Sequence, residues 1–229
     1  MAERLQSFGV VSDHVHVIPN WSDDETLCPV RSEENSLRRE WKLEHKFVVG
    51  YSGNLGRAHE IDTVLSAAAL LRDDPHIVFL FIGGGNQFDR LSQLANERGL
   101  GHLFRFIAYQ PQELLKLSLS VPDVHLISLR PELEGLIVPS KFYGIAAVGR
   151  PIISITTSDG EIARLVRQHE CGLVVEPGNG PALAESLIML CKDPIRVTEI
   201  GNRARSMLDR HFTCRHAFGR WEKLLATFD

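Results

Sequence analysis

The chain has 229 residues, 44% of them hydrophobic, with 25 Lys and Arg against 29 Asp and Glu and a net charge of −4. That is enough apolar material for one large α/β domain or two small ones. It excludes a broad basic surface for nucleic acid, and no apolar run approaches the roughly 20 residues that span a bilayer. Any site for an anion must therefore be local. Cys28, Cys171, Cys191 and Cys214 show no CxxC spacing and no paired histidine nearby, so neither a metal site nor a disulfide framework is expected. The opening MAERLQSFGV lacks the charged-then-apolar order of a signal peptide, and the chain is expected in the cytoplasm.

Along the chain, short β-prone runs alternate with amphipathic stretches. Strands are predicted at Val15–Ile18, Phe47–Ser52, Ile77–Ile82, Leu103–Ile107, Val124–Leu129, Pro151–Ile155 and Gly172–Val175. Helices are predicted at Ser36–Leu43, Ile61–Arg72, Gln87–Arg98, Gln112–Leu119, Lys141–Val148, Gly160–Gln168 and Pro181–Leu190. Two more, at Pro194–Asp209 and Cys214–Thr227, close the chain. Repeated βαβ units with right-handed crossovers give a doubly wound parallel sheet of Rossmann-like type, with ligands at the carboxyl ends of its strands.

The loops on that edge carry the candidate site. After the strand at Phe47, the segment 51–60 offers Gly53 and Gly56 for close backbone approach, and Asn54, Arg57 and His59 as donors. The arginine fork suits a diphosphate. Gly83 and Gly84 begin a triple-glycine loop that matches a dinucleotide fingerprint poorly, because Phe88 takes the third glycine's place; a flexible wall beside a nucleotide fits better. Ile107, Ala108 and Tyr109 can flank a planar base, with Pro111 expected at the first position of the next helix. The segment 131–151, PELEGLIVPSKFYGIAAVGRP, is the most informative. Its turn at Glu134-Gly135 leads through Leu136 and Ile137 to Pro139, to Ser140 as an expected N-cap, and to Lys141 at a helix start that suits an anion. A carboxylate at Glu134 cannot bind phosphate, so it would accept hydrogen bonds from sugar hydroxyls. Each loop also has a plainer reading, as a turn, a solvated charge or a helix cap without a ligand.

The segments 15–29, 51–71, 78–91 and 139–153, followed by CGLVVEPGN at 171–179, resemble the C-terminal half of a GT-B glycosyltransferase of the retaining group 1 type, family 4, of exopolysaccharide or O-antigen assembly. The resemblance implies one half of a GT-B fold. Residues 1–20 would be the end of an absent N-terminal domain and the crossing between domains, 21–210 the nucleotide-sugar domain, and 211–229 a C-terminal helix. It implies transfer from a nucleoside diphosphate sugar, UDP-linked as a first choice, to a glycan or lipid-linked acceptor held on that absent domain. No metal and no cofactor are implied, and the chain alone would not turn over. The full-length enzyme would associate peripherally with the inner face of the membrane. Arg57 and Lys141 would stabilise the departing diphosphate and Glu134 would orient the sugar. The chain departs from the family pattern in three places: Asn54 and His59 stand where arginine and lysine are usual, and Gly144 replaces the second glutamate of the paired motif, which usually holds the ribose. Two other readings stay open, a GT-B nucleotide-sugar 2-epimerase and a binding module without activity.

Overall fold

The computed structural model describes residues 1–227; the last two positions of the C-terminal segment set apart above lie outside them. Six strands, β1 (Phe47–Asn54), β2 (Ile77–Gly84), β3 (Phe104–Ile107), β4 (Val124–Ser128), β5 (Ile152–Ile155) and β6 (Gly172–Val175), form one sheet in the order β3-β2-β1-β4-β5-β6. All pairings are parallel. The ten helices found among the described residues begin with α1 (Ala2–Ser7), α2 (Ser36–Glu40), α3 (Asp62–Leu70), α4 (Asn86–Glu97) and α5 (Leu115–Ser120). They continue with α6 (Lys141–Ala147), α7 (Glu161–Gln168), α8 (Gly180–Lys192), α9 (Pro194–His211) and α10 (Cys214–Leu225).

Side chains alternate across the sheet as the strand pleat requires. Tyr51, Phe79, Phe81, Leu126 and Ile153 face one layer, where they pack with residues of α3, α4 and α8. Val48, Val78 and Leu80 face the other way beside α2, while Ile127 and Ile152 face α6, α7 and α9. The single core on one side and the two cores on the other mark where the crossovers change direction, between β1 and β4.

That junction is loosely zipped. β1 pairs with β2 along its whole length, from Phe47 with Ile77 to Asn54 with Gly84. With β4 it pairs only at Val49 with Val124 and Gly50 with His125. Beyond Gly50 the two strands part, and the gap between their carboxyl ends is the site's foundation. The lower part of the junction is held by charge: Arg38 Nη1 and Nη2 each lie 3.0 Å from the Asp123 carboxylate, and Asp123 Oδ2 accepts from Val48 N at 2.7 Å. Gly50 is required here because a Cβ would overlap the Pro122 ring.

Three expectations need correction. Val15–Ile18 is extended but forms no strand, and Val17 is 65% exposed. Among the described residues no strand runs alongside it, so its β-propensity has no ladder to act through; the isolated β-bridge found among them joins Ser22 to Thr213. The helix at Gln112 opens as a 3-10 turn over Gln112–Leu114, with Pro111 as its N-cap rather than its first residue. Ser140 holds the N-cap position of α6, but at φ −60° and ψ −24° it is already helical and its hydroxyl caps nothing.

Candidate functional site

The carboxyl ends of β1 and β4 open into a cleft of about 690 Å³, walled by α5 on one side and the start of α6 on the other. This is the switch point of the strand order, where doubly wound sheets bind ligands. The strand ends come close there. Gly53 and Gly83 take φ of +116° and +136°, and a Cβ on Gly83 would overlap the Gly53 carbonyl, so only glycine lets the two turns meet.

The cleft lining contains one lysine, Lys141, and no arginine or carboxylate among the described residues. Lys141 projects from the first position of α6 across the sheet edge to β1, where Nζ donates to Tyr51 Oη and lies 3.8 Å from the centre of the Tyr51 ring. No carboxylate pairs with it among the described residues. Burial without a counter-ion pushes its pKa down to about 7. Tyr51 is itself 2% exposed, donates to the Asn54 carbonyl at 2.7 Å, and has its hydroxyl pKa raised by burial.

His59 completes the floor. Its pKa falls to about 4, first because it is buried and second because of Lys141, against the pull of the Ser128 and Asn54 carbonyls. It is therefore neutral at pH 7, and since Nδ1 lies 2.8 Å from the Ser128 carbonyl, an acceptor only, the ring proton sits on Nδ1. Its edge meets the Tyr51 ring at 5.4 Å. At the mouth, Tyr109 is 60% exposed and stands beside Gly84, presenting a ring face that could stack on a planar group.

Of the residues singled out from sequence, Gly53, Asn54, His59, Tyr109, Ile137, Ser140 and Lys141 line this cleft. Gly56 and Arg57 lie in the adjoining turn, Arg57 being exposed; Gly56 does not use a positive φ. Gly83 and Gly84 shape the β2 end behind it, and Ile107 is packed against the core beside α2. Ala108, Gly135 and Leu136 sit in the neighbouring loops outside the lining, with Gly135 at φ +74°. Glu134 is half-buried away from the cleft, its carboxylate packed on Gly160 where α7 begins; burial raises its pKa, and Oε1 has no partner. Gly144 lines the cleft as open space, with only Leu119 Cδ1 within 4 Å of a would-be Cβ, at 3.8 Å. Trp21, Ser118 and Tyr51 were not legible as site residues. A tyrosine in the apolar run of β1 reads as core until its hydroxyl is seen to meet Lys141.

Residues 33–207 match the family described as glycosyl transferases group 1. The chain belongs to this family. Among its curated relatives, the probable glycosyltransferase WbjE of Pseudomonas aeruginosa is 30% identical over 198 residues, covering 86% of this chain and 48% of that protein. The putative colanic acid biosynthesis glycosyl transferase WcaI of Escherichia coli K12 is 29% identical over 213 residues, 92% of this chain and 52% of that one. The chain spans about half the length of these relatives. The fold matches Anabaena HepE in complex with UDP at a TM-score of 0.84 and 18% identity, over 99% of this chain and 61% of that one. It also matches the C-terminal domain of the group 1 protein LpcC of Francisella tularensis at a TM-score of 0.68 and 19% identity, over 84% of this chain and 99% of that domain. The GT-B C-terminal type expected from sequence is thus the type found.

Proposed function

We infer that the chain is the donor-binding half of a retaining glycosyltransferase, which moves a sugar from a nucleoside diphosphate sugar to a glycan or lipid-linked acceptor held by a partner domain. The observation that carries this reading is Lys141, half-buried and without a counter-ion in a carboxylate-free cleft at the sheet's switch point, in a member of the group 1 family. A buried ammonium without a counter-ion is unfavourable unless an anion joins it, and a diphosphate supplies that charge. The structural relative HepE is known in complex with UDP and with UDP-glucose, which makes UDP the first ligand to try.

In this reading the diphosphate lies between Lys141, the free Ser140 hydroxyl and the backbone of the Gly53 turn, and the base stacks on Tyr109 beside Ile107 and Ala108. Charge that develops on the leaving diphosphate is met by an ammonium already in place, the electrostatic part of catalysis. Arg57, exposed on the rim, folds over the diphosphate from outside. Glu134, with Gly135 and Leu136, belongs to a sugar-facing wall that the acceptor half completes, so the isolated chain binds donor without turning it over. Calorimetric titration of the chain with UDP, GDP, ADP, CDP and uridine tests the reading. A nucleoside diphosphate should bind and uridine should not. Failure of every diphosphate at millimolar concentration would refute it.

A further inference from the structure

Lys141 is a flexible side chain that crosses the sheet edge, and something must keep its ammonium in one place. Two groups do so, both from Tyr51. The ring face lies beneath Nζ at 3.8 Å, and the hydroxyl accepts a hydrogen bond from it. That hydroxyl cannot turn away, because its own proton is committed to the Asn54 carbonyl at 2.7 Å. Donating there leaves its lone pairs facing Lys141 and strengthens them as acceptors. The ring is itself fixed, 2% exposed and stacked on Phe81 at 5.5 Å. Strand, hydroxyl and ammonium form a chain of fixed contacts running from the β1 backbone to the cleft.

We propose that Tyr51 is a positioning residue, whose hydroxyl and ring hold the Lys141 ammonium at the cleft floor so that an incoming anion meets a charge already in place. The inference rests on the donor-binding reading, but its geometry does not. A cation is drawn to the electron-rich face of an aromatic ring, and a hydrogen bond to a charged group is stronger than one between neutral groups. Both favour the protonated lysine against the cost of its burial. The titratable groups that face Lys141 are Tyr51 on β1, His59 in the turn after it, Tyr109 across the cleft and His125 on β4. None is an acid. Tyr51 is therefore the principal protein group stabilising that charge, and loss of its hydroxyl should let the lysine lose its proton at lower pH.

The test is Tyr51→Phe, which keeps the ring and removes the hydroxyl, with Tyr51→Leu as a second variant that removes both. The first measurement is the titration of the Lys141 Cε signal by carbon-13 NMR in the free protein. The second is UDP affinity across pH. In Tyr51→Phe the Lys141 midpoint should move to lower pH, UDP affinity should fall about tenfold near neutral pH, and its loss with rising pH should begin earlier. Tyr51→Leu should show the same shifts, larger. An unchanged Lys141 titration with unchanged UDP affinity in both variants would overturn the proposal while leaving donor binding intact. If the wild-type chain binds no nucleoside diphosphate, the donor reading fails instead, and the NMR midpoint alone decides whether Tyr51 holds the ammonium.

Discussion

Replacing Lys141 by methionine should make the protein more stable and unable to bind UDP. Methionine keeps most of the length of the side chain and suits the Tyr51 ring through its sulfur, while removing a charge that has no counter-ion. In the folded state the lysine pKa is pulled from 10.5 to about 7. Unfolded, the lysine keeps its proton up to its ordinary value, so folding strains or expels a proton at any pH below that. The cost is complete below about pH 7 and fades as pH rises toward 10.5. At about 1.4 kcal/mol for each tenfold step, its ceiling is about 5 kcal/mol at pH 6 and about 2 kcal/mol at pH 9. The cleft is open to water, so we expect roughly half of these figures to be realised. Urea unfolding of both proteins at pH 6, 7.5 and 9 would measure it, with UDP titration alongside. A variant less stable than the wild type at pH 6, or a gap that widens toward pH 9, would refute the reasoning.

Two glycines should respond to the same change in opposite directions: Gly50→Ala, which forces a methyl into the Pro122 ring, should unfold by several kcal/mol, whereas Gly144→Ala in α6 has room and should gain about 0.5–1 kcal/mol. Both are read from thermal melts. Asp123→Asn leaves Arg38 buried without its charge partner and should lower the urea midpoint by an amount equivalent to about 3–5 kcal/mol. Arg57→Ala, acting on an exposed side chain, should weaken UDP no more than about fivefold by calorimetry. Glu134→Gln should leave UDP binding equal or slightly tighter while cutting transfer in the full-length enzyme; abolished diphosphate binding would make Glu134 a loop residue with the sugar site elsewhere.

The architecture was legible because periodicity and crossover rules act locally. Each of the six strands and nine of the helices falls where the apolar pattern puts it, shifted only at the ends. Val15–Ile18 failed because strand formation needs a neighbour, which no sequence window contains. The place of the site was legible for a similar reason: the loops after β1, β2, β3 and β4 must share one edge of a parallel sheet. What those loops do there was only partly visible. Lys141 emerged from its step with Ser140, but the absence of any acid around it is a property of the assembled cleft. Ser140 looked like a cap and is already helical. That the Glu134 carboxylate rests on Gly160 was not visible, because the small residue that admits it lies on a separate segment, at the start of α7. Tyr51 was hidden by its surroundings, since a buried aromatic in an apolar strand has the same signature whether or not its hydroxyl serves a lysine.

The central claim is that the cleft above β1 and β4 holds a diphosphate on Lys141. A crystal structure of the chain with UDP tests it most directly. The account predicts a diphosphate oxygen within hydrogen-bond distance of Lys141 Nζ and the uracil ring against Tyr109. UDP bound at the hollow lined by Glu60, Arg90 and Arg130, with Lys141 untouched, would contradict it.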